Sequence, residues 1–532
     1  MTRLLGIDLG TTSFKAVAYD GHGTSLASSQ IATPDEQVTV NGFRVTVWRA
    51  EKLWSVMCSL IREAVRQLPD SRIDALAIAE LGLVGYPMDS FGNPLYAGVT
   101  WIDPSAPPSS AFRDCGIEDA ALFSVTGNHV SPIYPPAWIT WMSEFEPGYA
   151  RGMTRWLNVG DYVAYKLCGE MALDYSMASQ TTIFEQSSLS YRPDLLRAFK
   201  LDENIFPSPR PSGTLLGRVL PEAAAATGLA ADMPVVLGGA DFITGAYAAG
   251  FLDSGDAAIL TGTWENVIVC SDRPELGAKL FECGAICDAH VAPDRWSIRI
   301  ENLSGEVTEW YRTKIRPYSQ AESEGAETSW SRLIEEAETA PPGSSGVVFM
   351  PHVFGSYGPR HDQLARGAFI GLSGECSCRE LTRALFEGLS FQTRHALEAL
   401  TAGIGKAPRR VVAMGGGAKN RFWVQNKADI LGCPLEVVTT PDVTPRGAAM
   451  IAGVGVGVFS DFRDALRQFG GAVTPVSPNR RLTEFYDRVY KEVYLPLCDE
   501  LAPFNARLAN LRPPQLDAAS SDAAQSGTGG GT

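Results

Sequence analysis

The sequence predicts an α/β protein built from two related domains that face a cleft. Three observations carry this. The chain opens with a cleanly alternating hairpin followed by an amphipathic helix and a third strand. A similar unit begins past residue 250. A Gly- and Ala-rich stretch, 245–255, lies between them.

In the first unit, residues 4–8 read as a strand, Gly10, Thr11 and Thr12 as a tight turn, and 14–19 as the returning strand. A polar loop follows. Residues 51–68 then place Leu53, Trp54, Met57, Leu60, Ile61, Ala64, Val65 and Leu68 at helical spacing, and Pro69 ends the run. Residues 75–79 form a short apolar strand. In the second unit, 257–260 is a strand, 261–263 a Thr/Gly turn and 266–269 the return. Later, strand 411–414 runs into Gly415, Gly416 and Gly417, and a helix follows over 422–431. Boundaries of 1–248 and 249–500 result. The tail 512–532 is rich in Ser, Ala, Gly and Gln. It lacks the apolar surface to offset its ordering entropy and is expected to be disordered.

Composition bounds the function. The 532 residues are 45% hydrophobic and 20% charged, which suits a protein that buries large cores. A net charge of −15 disfavours a nucleic-acid partner, because phosphate backbones require a basic footprint. No apolar run reaches the roughly 20 residues of a membrane span, and Asp8 arrives too early for a signal peptide. The ten cysteines and six histidines form no zinc-ligand spacing, so free thiols in a reducing cytoplasm are expected.

Four segments carry chemistry. The first spans Gly6 to Lys15. A small-residue turn between strands brings successive backbone N–H groups to one phosphate, Thr11 and Thr12 add hydroxyls, and Lys15 adds charge. Asp8 at the strand end would hold Mg²⁺. An ordinary hairpin with a polar tip is the other reading. In the second segment an apolar strand delivers Gly238, Gly239 and Asp241 to a small-residue helix. There Asp241 either accepts a proton from an attacking hydroxyl, for which an unshifted aspartate suffices, or merely caps the helix. The third is Thr261-Gly262-Thr263, a second phosphate-type turn, followed by Trp264 and Glu265. The fourth is Gly415-Gly416-Gly417 with Asn420, where bare backbone admits a flat heteroaromatic ring or simply forms a flexible loop. Two phosphate turns, an intervening aspartate and a late Gly triplet, in this order, make the parts of a two-lobed nucleotide site.

This set resembles the FGGY carbohydrate kinases, within the superfamily of sugar kinases, actin and the heat-shock chaperone ATPases. The resemblance covers roughly residues 3–495. It includes Gly367 to Leu372 with Glu387-Gly388, and Asp161-Tyr162, Asp174 to Ser176 and Ser179. It implies two actin-like, ribonuclease-H-like domains and transfer of the γ-phosphoryl of ATP, with Mg²⁺, to a small sugar hydroxyl. It places the catalytic role on Asp241, phosphate contacts on Gly10, Thr11, Thr12, Lys15, Thr261, Gly262 and Thr263, and adenosine contacts on Gly415, Gly416, Gly417 and Asn420. Many relatives are dimers, which implies a homodimer by analogy.

The acceptor is read from fewer residues. The run Glu80 to Gly85 differs from the Arg-Glu of glycerol kinases and the Gln-Met-His of typical xylulokinases. Gly262 to Glu265 and Ser304-Gly305 with Glu309-Trp310 resemble the L-fuculokinase branch. An L-ketose or deoxyketose is therefore expected, of the L-fuculose, L-xylulose or L-rhamnulose type. Its contacts would be Glu80, Asp103, Asp241, Trp264 and Glu265. Trp264 would pack on an apolar sugar face or serve as hinge packing. D-Xylulose, ribulose, erythritol or another polyol is the alternative acceptor. The departures at Val84, Ser105 and Trp138 motivate a different class, a catalytically weak sugar-sensing regulator on the same scaffold.

Overall fold

The computed structural model describes residues 2–40, 43–100, 115–145, 151–317 and 326–511. The tail and Asp103 lie outside the described residues.

The first sheet is built from β1 (Arg3–Leu9), β2 (Ser13–Asp20), β3 (Ser25–Ala32), β4 (Ala75–Glu80), β5 (Leu215–Arg218) and β6 (Pro234–Ala240), in the order β5-β6-β4-β1-β2-β3. β1 pairs antiparallel with β2 and parallel with β4, and β4 pairs parallel with β6. Helix α1 (Ala50–Arg66) buries Leu53, Met57, Leu60, Ile61 and Ala64 against one face of this sheet, the stripe its sequence periodicity predicts. The segment read as a polar loop before α1 instead forms a hairpin, Glu36–Val40 with Phe43–Trp48. The alternation Val45, Val47 buries one side of it.

The second sheet repeats the first. Its strands are β7 (Asp256–Thr261), β8 (Glu265–Ser271), β9 (Ile286–Ala289), β10 (Trp296–Asn302), β11 (Arg410–Met414), β12 (Leu435–Val438) and β13 (Val473–Val476), in the order β9-β10-β8-β7-β11-β12-β13. The hairpin β7–β8, the parallel pairs β7–β11 and β11–β12, and the antiparallel edge β12–β13 correspond to β1–β2, β1–β4, β4–β6 and β6–β5. The weak repeat in sequence is thus a repeat in topology, with β9 added at the edge of the second sheet.

Two of the helices at the junction of the halves bear on the site. α2 (Asp241–Ala248) leaves β6, and α3 (Val443–Gly455) follows β12 in sequence yet packs on the first sheet. Ala448 to Ala452 share a core with Leu4, Val17, Ala77 and Val236. The approach of α3 is close: a Cβ at Gly6 would stand 1.7 Å from the Pro445 carbonyl oxygen. Chain from the second half therefore completes the core of the first.

All ten cysteines are free thiols. Among the described residues no helix is long and apolar enough to cross a membrane.

Candidate active site

The site gathers at the carboxyl ends of the parallel strands, where open α/β sheets place their ligands. Asp8 sits near the end of β1. Glu80 ends β4 opposite Ala240 of β6, and Asp241 starts α2 directly after it. Burial raises the Asp8 carboxyl well above its usual range. The neighbouring Asp241 and Asp442 charges add to the rise, and Lys15 opposes it. Asp241 is pushed up to about 7, chiefly by burial; the Phe242 N–H, which donates to its Oδ1 at 2.6 Å, and the Arg299 charge hold it down. An unshifted aspartate would have sufficed for this role; here the carboxyl lies among packed elements, which raises its basicity.

In the first turn Thr11 is half-buried and Thr12 exposed beside Gly10, while Lys15 forms an ion pair with Asp442. In the second turn Gly262 and Thr263 are exposed, and the Thr263 carbonyl accepts from the N–H groups of Gly305 and Glu306. This docks the turn on helix α4 (Ser304–Trp310). Thr261 is buried. Its hydroxyl donates to Glu265 at 2.7 Å and accepts from Lys427 at 2.8 Å, so its side chain is not offered to a phosphate. The Gly triplet is ordered rather than a flexible loop. Gly415 has φ +91°, and a Cβ there would stand 2.6 Å from the Thr261 carbonyl oxygen. Residues Gly416–Lys419 form a single 3₁₀ turn. Asn420 spends its side chain as N-cap of helix α5 (Arg421–Leu431), accepting from the Trp423 N–H at 3.1 Å.

One predicted sugar contact is corrected, and a second is engaged inside the fold. Glu265 is 2% exposed and accepts from Thr261, Thr393 and the ammonium of Lys427, itself 4% exposed. It points into the core behind β8, not into the cleft. Glu80 is buried as well. It accepts from the Gly160 N–H at 2.6 Å, and burial plus the Asp161 charge push its carboxyl up. It belongs to an interior acid cluster with Asp161 and Asp174. Trp264 packs edge-to-face on Tyr357, ring centroids 4.8 Å apart, which is packing within the second half.

The sequence reading missed Asn266, Asp288, Arg299 and Glu301. Paired residues of antiparallel strands share a face, and the register pairs Asn266 with Glu301, Ile268 with Arg299, and Asp288 with Ser297. All four side chains therefore lie on the face of the second sheet that looks toward α2. Period-2 alternation through 265–271 was the signal that could have found Asn266 in place of Glu265. Asp442, at φ +56° before α3, was also missed.

Among the described residues no three acidic, His or Cys side chains close a metal site alone. Asp8, with Asp241 and Asp442 near it and Lys15 as the opposing cation, is a carboxylate set whose charge fits a divalent cation.

Two adjacent α/β halves of repeated topology, with acids and Gly-rich turns at their strand ends, define a two-lobed nucleotide-dependent phosphotransferase. The chain belongs to the FGGY family of carbohydrate kinases: residues 3–248 match the family's N-terminal domain and 257–456 its C-terminal domain. It is 29% identical over 476 residues to an autoinducer-2 kinase of Yersinia pseudotuberculosis, covering 86% of each chain. It is 26% identical over 502 residues to a xylulose kinase of Bacillus subtilis, covering 93% of this chain and 97% of that one. The crystal structure of xylulose kinase from Rhodospirillum rubrum superimposes with a TM-score of 0.84 at 25% identity, over 95% of this chain and 100% of that chain. The protein is a carbohydrate kinase, a phosphotransferase with an alcohol group as acceptor.

Proposed function

We propose that this kinase moves the γ-phosphoryl group of ATP to a hydroxyl of a ketose, with Asp241 as general base. The observation that carries the reading is the placement of Asp241. It heads a helix at the carboxyl end of β6, two strands from Asp8, with its carboxyl held near pH 7. A carboxylate of that basicity accepts the hydroxyl proton as the O–P bond forms, late in a loose transition state. Exposed Gly262 and Thr263, with the first turn, offer donors to the nucleotide phosphates, and the Gly415–Gly417 backbone offers a surface to adenine. Asp8 is the residue to hold Mg²⁺, which supplies charge neutralisation at the phosphates when bound. The residues Gly262 to Glu265 and Ser304-Gly305 with Glu309-Trp310, which resemble the L-fuculokinase branch, support an L-ketose or deoxyketose. The xylulose kinases among the relatives favour xylulose as a second acceptor.

The test is ADP release over a panel of ketoses and polyols, followed by locating the phosphate on the product. Asp241→Asn is expected to lower kcat by several orders of magnitude with unchanged circular dichroism. In the parent enzyme kcat/KM should climb with pH up to about 7 and level above it, since the base works deprotonated. Near-normal turnover in the variant removes Asp241 from the mechanism.

A further inference from the structure

On the face of the second sheet that looks toward α2, Arg299 of β10 lies beside the start of that helix. Arg299 is 5% exposed, a burial that a guanidinium tolerates only when paired. Its Nε donates to Asp288 at 2.7 Å, and its Nη1 donates to Glu301. Asn266 Oδ1 stands 3.5 Å from the same Nη1. The guanidinium carbon lies 4.8 Å over the ring of Phe242, the residue next to Asp241. A cation from the second half is thus seated against the first turn of the helix that begins with Asp241.

The anchoring is asymmetric. Asp288 is fully buried, and one of its oxygens, Oδ1, has no partner. Glu301 keeps 28% of its side chain exposed. Asp288 therefore fixes the guanidinium from behind, while Glu301 and Asn266 border it on the accessible side. A fixed N–H donor flanked by a carboxylate and an amide matches a carbon skeleton that carries a carbonyl oxygen between hydroxyl groups. The guanidinium donates to the carbonyl, and the neighbouring oxygens accept from the hydroxyls.

We infer that Arg299, seated by Asp288 and bordered by Asn266 and Glu301, is the specificity-determining residue of the acceptor site and donates to the carbonyl oxygen of an open-chain ketose. The inference rests on the ketose reading of the acceptor. It assigns Arg299 no covalent step. It makes the second half, rather than the motif at Glu80, the source of acceptor selection.

The experiment compares Arg299→Lys, Arg299→Met and the double variant Arg299→Met/Asp288→Asn with the parent enzyme. Each ketose of the panel is paired with the polyol made by reducing its carbonyl. The double variant is included because Arg299→Met alone leaves Asp288 buried and unpaired, and thermal melting identifies any variant that fails to fold. A charge-assisted hydrogen bond of ordinary strength gives an acceptor KM raised roughly 10- to 100-fold in both Met variants. The ketose-over-polyol preference should fall by a similar factor, with the KM for ATP unchanged and Arg299→Lys intermediate. Parent-like acceptor KM and preference in the folded double variant overturns the inference while leaving the ketose reading intact. An equal rise in the KM for ATP also overturns it. A parent enzyme that phosphorylates polyols and no ketose overturns both.

Discussion

Replacing Glu265 with Gln separates two roles for the residue beside the second phosphate turn. In the structure its carboxylate is buried with the Lys427 ammonium, and the hydroxyls of Thr261 and Thr393 complete its shell. Lys427 lies 4.4 Å from the Trp423 ring centroid, and burial depresses its basicity. The substitution leaves a cation of 4% exposure with no carboxylate. Breaking one side of such a pair costs about 3–5 kcal/mol. That is a large share of the ~5–15 kcal/mol that holds a typical domain. Urea denaturation followed by tryptophan fluorescence should show a clearly lowered midpoint. Glu265→Leu/Lys427→Met should recover most of the loss, because it removes both charges together. Acceptor KM of the folded fraction should stay within about twofold, since the side chain faces away from the cleft. A Glu265→Gln protein of unchanged midpoint whose acceptor KM rises tenfold would refute the buried-pair argument and return Glu265 to the sugar site.

Two further outcomes follow from the same geometry. Gly415→Ala forces a side chain into φ +91° and toward the Thr261 carbonyl, a strain of about 1–3 kcal/mol; isothermal titration should show ATP affinity at least about tenfold weaker, and an unchanged affinity would take the Gly triplet out of the nucleotide site. The interior acids give a pH signature: burial raises Glu80 and Asp161, and Asp174 to about 6, so their contribution to stability is complete below about pH 4 and is lost as pH rises through those values. Asp161→Asn, which gives the unpartnered Oδ2 position an amide, should flatten the fall in melting temperature as pH rises above the ordinary carboxylate range; a parallel fall in both proteins would contradict the shared burial of these carboxyls.

The nucleotide half was legible because its signals are local. A strand, a small-residue turn and a returning strand lie within 18 residues from Arg3 to Asp20, and the structure keeps them where the alternation puts them. α1 and α5 were legible for the same reason, through helical spacing and the breaker or cap at their ends. The return of α3 onto the first sheet was not. Its Ala-rich face reads as a generic small-residue helix, and only the three-dimensional fit to Gly6 shows which sheet it covers. The hairpin before α1 was lost because short, polar-flanked strands gain their stability from neighbours that sequence does not name.

The acceptor half failed on parity. Glu265 and Asn266 are adjacent, and nothing in their chemistry says which one enters the cleft. A carboxylate near a phosphate turn looks like the better sugar ligand, yet the strand alternates. Thr261 opposite Glu265 and Leu260 opposite Asn266 fix the register of β7 with β8. Once Val267, Val269, Ile298 and Ile300 are committed to the core, residues of the same parity, including Glu265, must go with them, and a buried carboxylate then requires the cation that Lys427 brings from α5. The opposite parity sends Asn266, Arg299 and Glu301 toward Phe242 and Asp241. The polar set beside Asp241 is thereby tied to a strand register: a one-residue slip between β8 and β10 would exchange it for an apolar set. The hydrophobic core that holds the second sheet together and the polar surface beside Asp241 are two sides of the same pairing, so a substitution that loosens one is expected to disturb the other.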